Sequence, residues 1–173
     1  MSFCLVLLAA GDSKRFGVKN PKPFVKVAGK TLLEHSLFKF NKIKQIKKTF
    51  VVINKKHKKL LKNIRSRNFT KIIGGKSRQE STFKALKYIK KNKLKFTNVL
   101  IHDSARPNFS VKLIKKIINV SKKNSVIPKI PIHDALKEFV GKDILLNLPR
   151  ENFFSTQTPQ SFNFREILNL HSR

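Results

Sequence analysis

The sequence predicts a single α/β domain in which a mostly parallel sheet is covered by helices on both faces. Apolar runs of strand length lie at residues 3–8, 49–53, 69–73, 97–101 and 125–128. These runs are continuous rather than alternating in polarity, as is typical of strands that are buried on both faces. Segments with helical spacing of apolar residues separate them. A chain of 173 residues, 40% of them hydrophobic, is long enough to bury one such core, so residues 1–173 are expected to form one domain.

The helices between these strands are marked by residues that cap their N-termini. Thr31 and Glu34 have the spacing of a capping box, and so do Ser77 and Glu80. A further helix is predicted to begin at Ser110. Each cap is followed by apolar residues at helical spacing, so each helix is expected to present one apolar face to the sheet.

The alternation of strand and helix stops at residues 129–155. Pro131, Gly141, Pro149 and short apolar pairs predict an extended arm or hairpin there. In an open parallel sheet, ligands bind beyond the carboxyl ends of the strands. The three loops that follow the predicted strands are therefore expected to form one functional edge, called the rim below, at residues 9–23, 74–81 and 102–107.

The formal charge of +30 normally suggests a nucleic-acid or membrane partner. Most of the 39 basic residues are lysines, however, and they are spread along the chain beside abundant Ile, Asn and Phe, which share A/T-rich codons. Nucleotide bias in the genome therefore explains much of the charge. A specific nucleic-acid partner is not expected, because it requires basic residues clustered on one face.

The single cysteine, Cys4, lies in an apolar run and provides neither a disulfide framework nor metal-ligand spacing. A reducing compartment fits this usage, so a cytoplasmic location is expected. The opening run FCLVLLAA has no basic residue before it and is short for a membrane span. It is therefore predicted to be a buried strand, with no membrane partner.

The first rim loop begins with Ala9, Ala10 and Gly11, whose small side chains let backbone amides approach a phosphate closely. Arg15 and Lys22 then supply positive charge in the same loop. A surface loop with solvated cations is the alternative interpretation. The segment matches neither the P-loop nor the G-x-G-x-x-G dinucleotide pattern. It indicates an anion site without identifying the anion.

The other two rim loops add polar groups. Residues 74–81, GGKSRQES, combine a glycine turn with a capped helix whose N–H groups point outward. Residues 99–107, VLIHDSARP, end a strand in Asp103, between His102 and Arg106. A carboxylate at such a strand end commonly holds Mg²⁺ together with phosphate oxygens, so Asp103 is the candidate metal ligand. His102 is expected to be packed or hydrogen-bonded rather than catalytic.

Five segments, taken in order, resemble one enzyme family. They are LAAGDSKRFG with PKPF, GGKSRQES, VLIHDSARP, PIHDALK and TQTPQSF, and the similarity spans residues 3–168. The family is 2-C-methyl-D-erythritol 4-phosphate cytidylyltransferase, of the non-mevalonate (methylerythritol phosphate) route to isoprenoids. The resemblance implies a Rossmann-like nucleotidyltransferase fold with a protruding β-arm that crosses to the second subunit of a homodimer.

The resemblance also implies a magnesium-dependent transfer of CMP from CTP to 2-C-methyl-D-erythritol 4-phosphate, which gives 4-diphosphocytidyl-2-C-methylerythritol and diphosphate. Arg15 and Lys22 would stabilise the α-phosphate, and Asp103 would hold Mg²⁺. The residues implied to hold the nucleotide are Ala9, Ala10, Gly11, Gly75 and Ser81. Those implied to hold the sugar-alcohol phosphate are Arg106, Asp134, Arg150 and Thr158, with Arg150 reaching in from the partner's arm.

The sequence departs from the family's pattern at several positions. Ser13 stands where the family often has a second glycine, and Pro23 replaces a common glutamine; both changes are expected to be tolerated. Ala135 replaces a threonine that contacts the substrate phosphate, so that contact is expected to be lost. The chain ends at Arg173, before the family's last strand-helix section and its α-phosphate lysine. This predicts a fragment, half of a fusion with the pathway's cyclodiphosphate synthase, or a truncated and impaired product.

Three other functions stay open. A ribitol 5-phosphate cytidylyltransferase shares the scaffold and most of the motifs. A catalytically impaired remnant would keep only nucleotide binding. A nucleic-acid binder is disfavoured, because it needs an exposed stacking platform of aromatic side chains. The phenylalanines expected to lie mostly on core faces instead are Phe16, Phe24, Phe38, Phe40 and Phe83.

Overall fold

The computed structural model describes residues 1–11, 13, 20–65, 68–141 and 143–172, without the side chains of residues 140 and 143–145. The strands and helices are, in chain order, β1 (Phe3–Ala9), β2 (Lys26–Val27), β3 (Lys30–Thr31), α1 (Leu32–Phe40), β4 (Ile46–Ile53), β5 (Thr70–Ile73), α2 (Arg78–Lys91), β6 (Asn98–Asp103), α3 (Val111–Val120), β7 (Lys129–Pro131), β8 (Leu136–Val140), β9 (Asp143–Leu148), β10 (Phe154–Thr156), β11 (Gln160–Asn163) and α4 (Phe164–Leu170). Short 3₁₀ segments lie at Lys22–Phe24, Lys55–Asn63 and Arg150–Asn152.

The central sheet has the strand order β11-β6-β1-β4-β5. Strand β1 is parallel to both β4 and β6, and β5 is parallel to β4, whereas β11 is antiparallel to β6. The predicted mostly parallel sheet is therefore confirmed. The strand predicted at residues 125–128 is wrong: only Val126 pairs, in an isolated bridge with Ser161. Pro128 has no N–H to continue a ladder, and the chain leaves the sheet there to enter β7.

The core lies on both faces of this sheet, because successive side chains of β1 point to opposite sides. Leu5 and Leu7 pack on the side of α1 and α3, and Cys4 and Val6 pack on the side of α2 and α4. Among the phenylalanines that were expected to be buried, Phe38 is 55% exposed, so the expectation is wrong for that residue. The amphipathic pattern of α1 leaves it on the outer face, where Lys42 Nζ lies 4.4 Å from its ring centroid.

The helix caps follow the predictions with one difference. Thr31 and Glu34 form a complete capping box at α1, and Ser110 accepts from the backbone N–H of Leu113 at α3. At α2, Ser77 accepts from the Glu80 N–H, but the Glu80 carboxylate accepts from the N–H of Lys76 rather than from that of the cap. The second half of the predicted box is therefore wrong, because the glycine turn presents the Lys76 N–H to Glu80. Within the described ranges, no helix is long and apolar enough to cross a membrane.

The arm predicted at residues 129–155 corresponds to β7–β10. Strand β7 pairs with β10 and strand β8 pairs with β9, both antiparallel. The described side chains of the arm are mostly exposed, including those of Phe139 and Leu146. The arm is thus a set of main-chain ladders beside the five-stranded sheet.

Candidate active site

The three rim loops meet at the carboxyl ends of β1, β5 and β6, where they line a cavity of ≈ 380 Å³. The structure brings together at this cavity six of the residues that were predicted to form the site, namely Ala10, Gly11, Lys22, Gly75, Ser81 and Asp103. Ala9 precedes them as the buried last residue of β1. The spacing of apolar strands thus located the rim correctly, since strands of one parallel sheet end at the same edge.

The first rim loop passes from Ala10 and Gly11 to Ser13, whose φ is 53°. This is the left-handed region, which glycine adopts without steric cost and which few other residues adopt. The structure thus explains why a glycine suits this position. The Ser13 Oγ accepts a 2.8 Å hydrogen bond from the backbone N–H of Lys22, and this bond ties the loop to the 3₁₀ segment that carries Lys22. Arg15 lies outside the described residues.

The second rim loop is held by side chains of α2. Ser81 Oγ accepts from the Gly75 N–H at 3.0 Å, and Lys84 Nζ donates to the Gly74 carbonyl at 3.2 Å. A Cβ at Gly74 would lie 2.7 Å from the Ala10 Cβ and 2.8 Å from the Ser81 Oγ. Only glycine fits this contact between two rim loops. Ser81 is buried, so the structure places it as the support of the glycine turn as well as part of the cavity wall.

The third rim loop places Asp103 between two arginines. Arg78 Nε lies 3.2 Å from Asp103 Oδ1, and Arg106 Nε lies 3.3 Å from Asp103 Oδ2. Arg106 also donates to Gln157, and Arg78 donates to Gln160. Arg78 lines the cavity but was not assigned a role from the sequence. The sequence feature that could have identified Arg78 is its position in a rim loop, directly after the helix cap Ser77.

The imidazole of His102 lies beneath the rim and is fully buried. Burial lowers the pKa of His102 to about 4, so the ring is neutral at pH 7. Nε2 lies 3.1 Å from the Arg106 carbonyl oxygen, so Nε2 carries the proton and Nδ1 accepts from the Thr158 hydroxyl at 2.9 Å. His102 is packed and hydrogen-bonded, as expected. Thr158 joins the third rim loop to the segment that precedes β11, with its hydroxyl already bonded.

Asp134 and Arg150 lie in the arm and are not among the described residues that line the cavity. The Arg150 Nη1 donates to the carbonyl oxygen of His133, next to Asp134, and the Arg150 Nε lies 3.6 Å from the Glu151 Oε1. The structure therefore places Arg150 against the residue that precedes Asp134 in the arm. It does not place either of them in the lining of the cavity of their own chain.

The described residues contain no group of three or more His, Cys, Asp or Glu side chains that could surround a metal ion. Asp103 is the one carboxylate among the described residues that line the cavity. Around it, the cavity-lining cations in the described part of the chain are Lys22, Lys76 and Arg78. Fold and site together define an α/β domain with a cationic cavity at the carboxyl edge of its sheet, the arrangement that suits a phosphate-bearing ligand.

The comparisons with known proteins identify the family. The family model of 2-C-methyl-D-erythritol 4-phosphate cytidylyltransferase (IspD) matches residues 3–173. The bifunctional enzyme IspD/IspF of Pelagibacter ubique is 44% identical over 173 residues, with 99% of this chain and 46% of that protein covered. The 2-C-methyl-D-erythritol 4-phosphate cytidylyltransferase of Thermosipho melanesiensis is 39% identical over 167 residues, with 92% and 72% covered. This chain belongs to the IspD family, whose members are nucleotidyltransferase enzymes.

The solved structures agree with this assignment. The 4-diphosphocytidyl-2C-methyl-D-erythritol synthase of Anaerococcus prevotii superposes with a TM-score of 0.81 at 28% identity, covering 99% of this chain and 74% of that one. The predicted Rossmann-like nucleotidyltransferase fold is confirmed. The alternative acceptor, ribitol 5-phosphate, is not favoured, because the matched family and the Thermosipho melanesiensis relative are named for methylerythritol phosphate. The chain spans less than half the length of the bifunctional relative.

Proposed function

We propose that this chain transfers CMP from CTP to 2-C-methyl-D-erythritol 4-phosphate in non-mevalonate isoprenoid biosynthesis, giving 4-diphosphocytidyl-2-C-methylerythritol and diphosphate. The observation that carries this proposal is the rim cavity, in which two small-residue turns, Lys22 and Asp103 face one space. Membership of the IspD family supports the same reaction.

The reaction is an in-line phosphoryl-group displacement. A phosphate oxygen of the acceptor attacks the α-phosphorus of CTP, a new P–O bond forms, and the bond to the β-phosphate breaks so that diphosphate leaves. Both reactants are polyanions, so the main task of the protein is to bring them together and to stabilise the added charge at the α-phosphorus. Lys22 and Arg15 are proposed to do this, and no nucleophilic side chain is needed.

The turns of the rim are proposed to bind the nucleotide. Ala9, Ala10, Gly11 and Gly75 have little or no side chain, so a phosphate can come close to the backbone at these turns. In the second turn the N–H groups of Gly75 and Lys76 already donate to Ser81 Oγ and to the Glu80 carboxylate, so this turn is proposed to line the site rather than to donate to the ligand. Ser81 keeps the second turn in place through its hydrogen bond with the Gly75 N–H.

Asp103 fits a magnesium site. Its side chain is 27% exposed and is the single carboxylate among the described cavity-lining residues. One carboxylate together with phosphate oxygens and water is a usual ligand set for Mg²⁺. When bound, Mg²⁺ supplies charge neutralisation for the triphosphate and the leaving diphosphate.

The acceptor is proposed to bind on the Arg106 side of the cavity, supported by Thr158. Asp134 and Arg150 do not line the cavity of their own chain, so they are proposed to reach the cavity of a second copy in a homodimer formed through the arm. The exposed Phe139 and Leu146 support this, because such apolar side chains favour a partner surface. A cytoplasmic site of action is proposed, since the lone buried Cys4 requires no oxidising compartment.

The proposal is tested with the full-length protein by mass spectrometry of the product and by diphosphate release. CTP and Mg²⁺ are supplied with either 2-C-methyl-D-erythritol 4-phosphate or ribitol 5-phosphate. We expect CMP transfer to the first acceptor and loss of transfer in the Asp103→Asn variant. Preference for ribitol 5-phosphate, or undiminished turnover in Asp103→Asn, would contradict the proposal.

A further inference from the structure

The Asp103 carboxylate is held from two sides by arginines, and only one of them has a role in the proposed function so far. Arg78 Nε lies 3.2 Å from Oδ1, and Arg106 Nε lies 3.3 Å from Oδ2. The Arg78 Nη2 also donates to Gln160 Oε1 at 3.4 Å, and the Arg106 Nη1 donates to Gln157 Oε1 at 3.2 Å. Both carboxylate oxygens are therefore engaged by guanidinium groups that are themselves oriented by glutamines.

A divalent cation bound at Asp103 Oδ1 would compete with Arg78 for that oxygen. Two positive groups that share one carboxylate oxygen repel each other, and the repulsion doubles when one of them is divalent. The ion pair between Arg78 and Asp103 is open to exchange, because the Arg78 side chain is 49% exposed. Exposed pairs of this kind are weak enough for a ligand to replace them.

The Arg78 guanidinium also lies beside a second site where it could form ion pairs, namely the rim cavity. It is the first residue of α2 and directly follows Lys76 and Ser77, and all three residues line the same cavity as Lys22. Its guanidinium is thus at the wall of the space that the proposed function assigns to a triphosphate. Arginine binds phosphate oxygens through two parallel N–H bonds, so a triphosphate is a stronger partner for it than a single carboxylate oxygen of Asp103.

We propose that Arg78 is a nucleotide-binding residue that exchanges Asp103 for the phosphates of an incoming nucleoside triphosphate. In this exchange the guanidinium moves from Asp103 Oδ1 to the triphosphate, and Oδ1 becomes available to the divalent cation that the triphosphate carries. The inference rests on the proposed function and refines its site. Its consequence is that the cation binds well only together with the nucleotide, because the cation alone must compete with Arg78.

The experiment uses Mn²⁺ as the probe and measures free Mn²⁺ by electron paramagnetic resonance, on the full-length protein without nucleotide. Arg78→Gln should bind Mn²⁺ about tenfold more tightly than the parent, since it loses both the competing contact and one nearby charge. Lys76→Gln is the matched control: it removes one charge from the same cavity wall and leaves the arginine contacts of Asp103 in place. In this control the affinity for Mn²⁺ should rise about twofold or less. For Mn²⁺ with CTP the order should reverse, with Arg78→Gln binding more weakly than the parent.

An unchanged Mn²⁺ affinity in Arg78→Gln, or an equal gain in Lys76→Gln, would overturn the exchange. The double variant Arg78→Gln with Asp103→Asn should lose the gain, and retention of the gain would show that another group binds the metal. Thermal melting checks that each variant folds; if Arg78→Gln does not, Arg78→Lys takes its place, with a smaller gain expected because a charge remains. The readout needs no turnover, so a protein that shows the exchange but transfers no CMP would contradict only the proposed function.

Discussion

The rim and the arm are held by different kinds of interaction. In the rim, side chains from buried positions bond the loops: Ser104 Oγ donates to the Leu8 carbonyl at 2.8 Å, and Ser36 Oγ donates to the Ser104 carbonyl at 2.9 Å. In the arm, main-chain ladders join β7 to β10 and β8 to β9, while Phe139 remains 60% exposed. The geometry of the described part of the rim is thus determined within this chain, whereas the apolar side chains of the arm need another surface to become buried.

Helix α1 adds to the stability of the rim, because its Lys39 side chain is bonded to the chain that follows the third rim loop. Lys39 Nζ donates to the carbonyl oxygens of Pro107 at 2.7 Å and Phe109 at 2.9 Å. Its charge also lies 5.2 Å from the Phe109 ring centroid. These contacts hold the chain just after Asp103 and Arg106, so the groups proposed to meet the ligand stand on a preorganised base.

The largest expected effect is a loss of folding stability, tested by comparing a phenylalanine packed beneath the rim with one in the arm. Phe40 is buried, with its ring centroid 5.2 Å from that of His102 and 4.7 Å from that of Phe109. Phe40→Ala should lower the free energy of unfolding by about 3–5 kcal/mol, because it opens a cavity. Phe139→Ala should change it by less than about 0.5 kcal/mol at a concentration where the protein is monomeric. Urea denaturation measures both, and similar losses would show that the arm is as firmly packed as the core.

The next effect concerns turnover rather than stability. Lys22→Ala should reduce CMP transfer by about a hundredfold, since it removes the cation that is proposed to stabilise charge in the transition state. Lys26→Ala removes an exposed lysine of β2, just beyond the same 3₁₀ segment, and is the control. Both variants should melt close to the parent. A hundredfold loss in Lys26→Ala as well would indicate a general effect of charge rather than a specific one.

The contact between the first two rim loops can be tested with two glycines. Gly74→Ala should cost about 1–3 kcal/mol, because the new Cβ would lie 2.7 Å from the Ala10 Cβ and the loops must separate. Gly11→Ala should cost little, since nothing lies within 4 Å of a Cβ placed there. Thermal melts of the two variants give the difference. Equal melting temperatures would mean that the loops are looser than the structure has them.

The smallest expected effect is a pH dependence at the start of α1. Burial raises the pKa of Glu34, but hydrogen bonds from the Arg65 N–H and from the N–H and hydroxyl of Thr31 outweigh it and lower that pKa below 4.5. A carboxyl whose pKa falls on folding stabilises the protein above pH 4.5, and this stabilisation is lost as the pH drops further. Glu34→Gln should therefore lower the free energy of unfolding by about 1 kcal/mol at pH 7. In acid the variant and the parent should be equally stable.

Denaturant titrations at pH 7 and at the acid end test this pH dependence. Glu151→Gln, at an arm carboxylate whose side chain is 73% exposed, is the control and should cost less than about 0.5 kcal/mol at pH 7. If the difference in free energy of unfolding between Glu34→Gln and the parent stays constant across the pH range, the lowered pKa of Glu34 is contradicted.

Much of the sheet was predictable because its strands are buried on both faces and therefore form continuous apolar runs. The run at residues 3–8 matches β1, and the run at 97–101 matches most of β6. The antiparallel strand β11 was not predictable, since its four residues, QSFN, include one large apolar side chain. Its place depends on the edge that β6 offers, which no local pattern records.

The site, like the sheet, has some features that the local sequence predicts and others that it does not. The position of Asp103 follows from a strand that ends in a carboxylate, which is a local signal. The contact of Arg78 with Asp103 was not predictable, because it joins two loops separated by 25 residues and depends on the spacing of the strands between them. The left-handed φ of Ser13 has no signal in the serine itself, and the one indication of it was the glycine that the resembled family often has at this position.

The most direct test of the central claim is a crystal structure of the full-length protein with CTP and Mg²⁺. We predict that the triphosphate lies in the rim cavity between Gly11 and Gly75, with the metal beside Asp103 and with Lys22 facing the α-phosphate. CTP bound at another face of the molecule, with the rim cavity unchanged, would contradict the account.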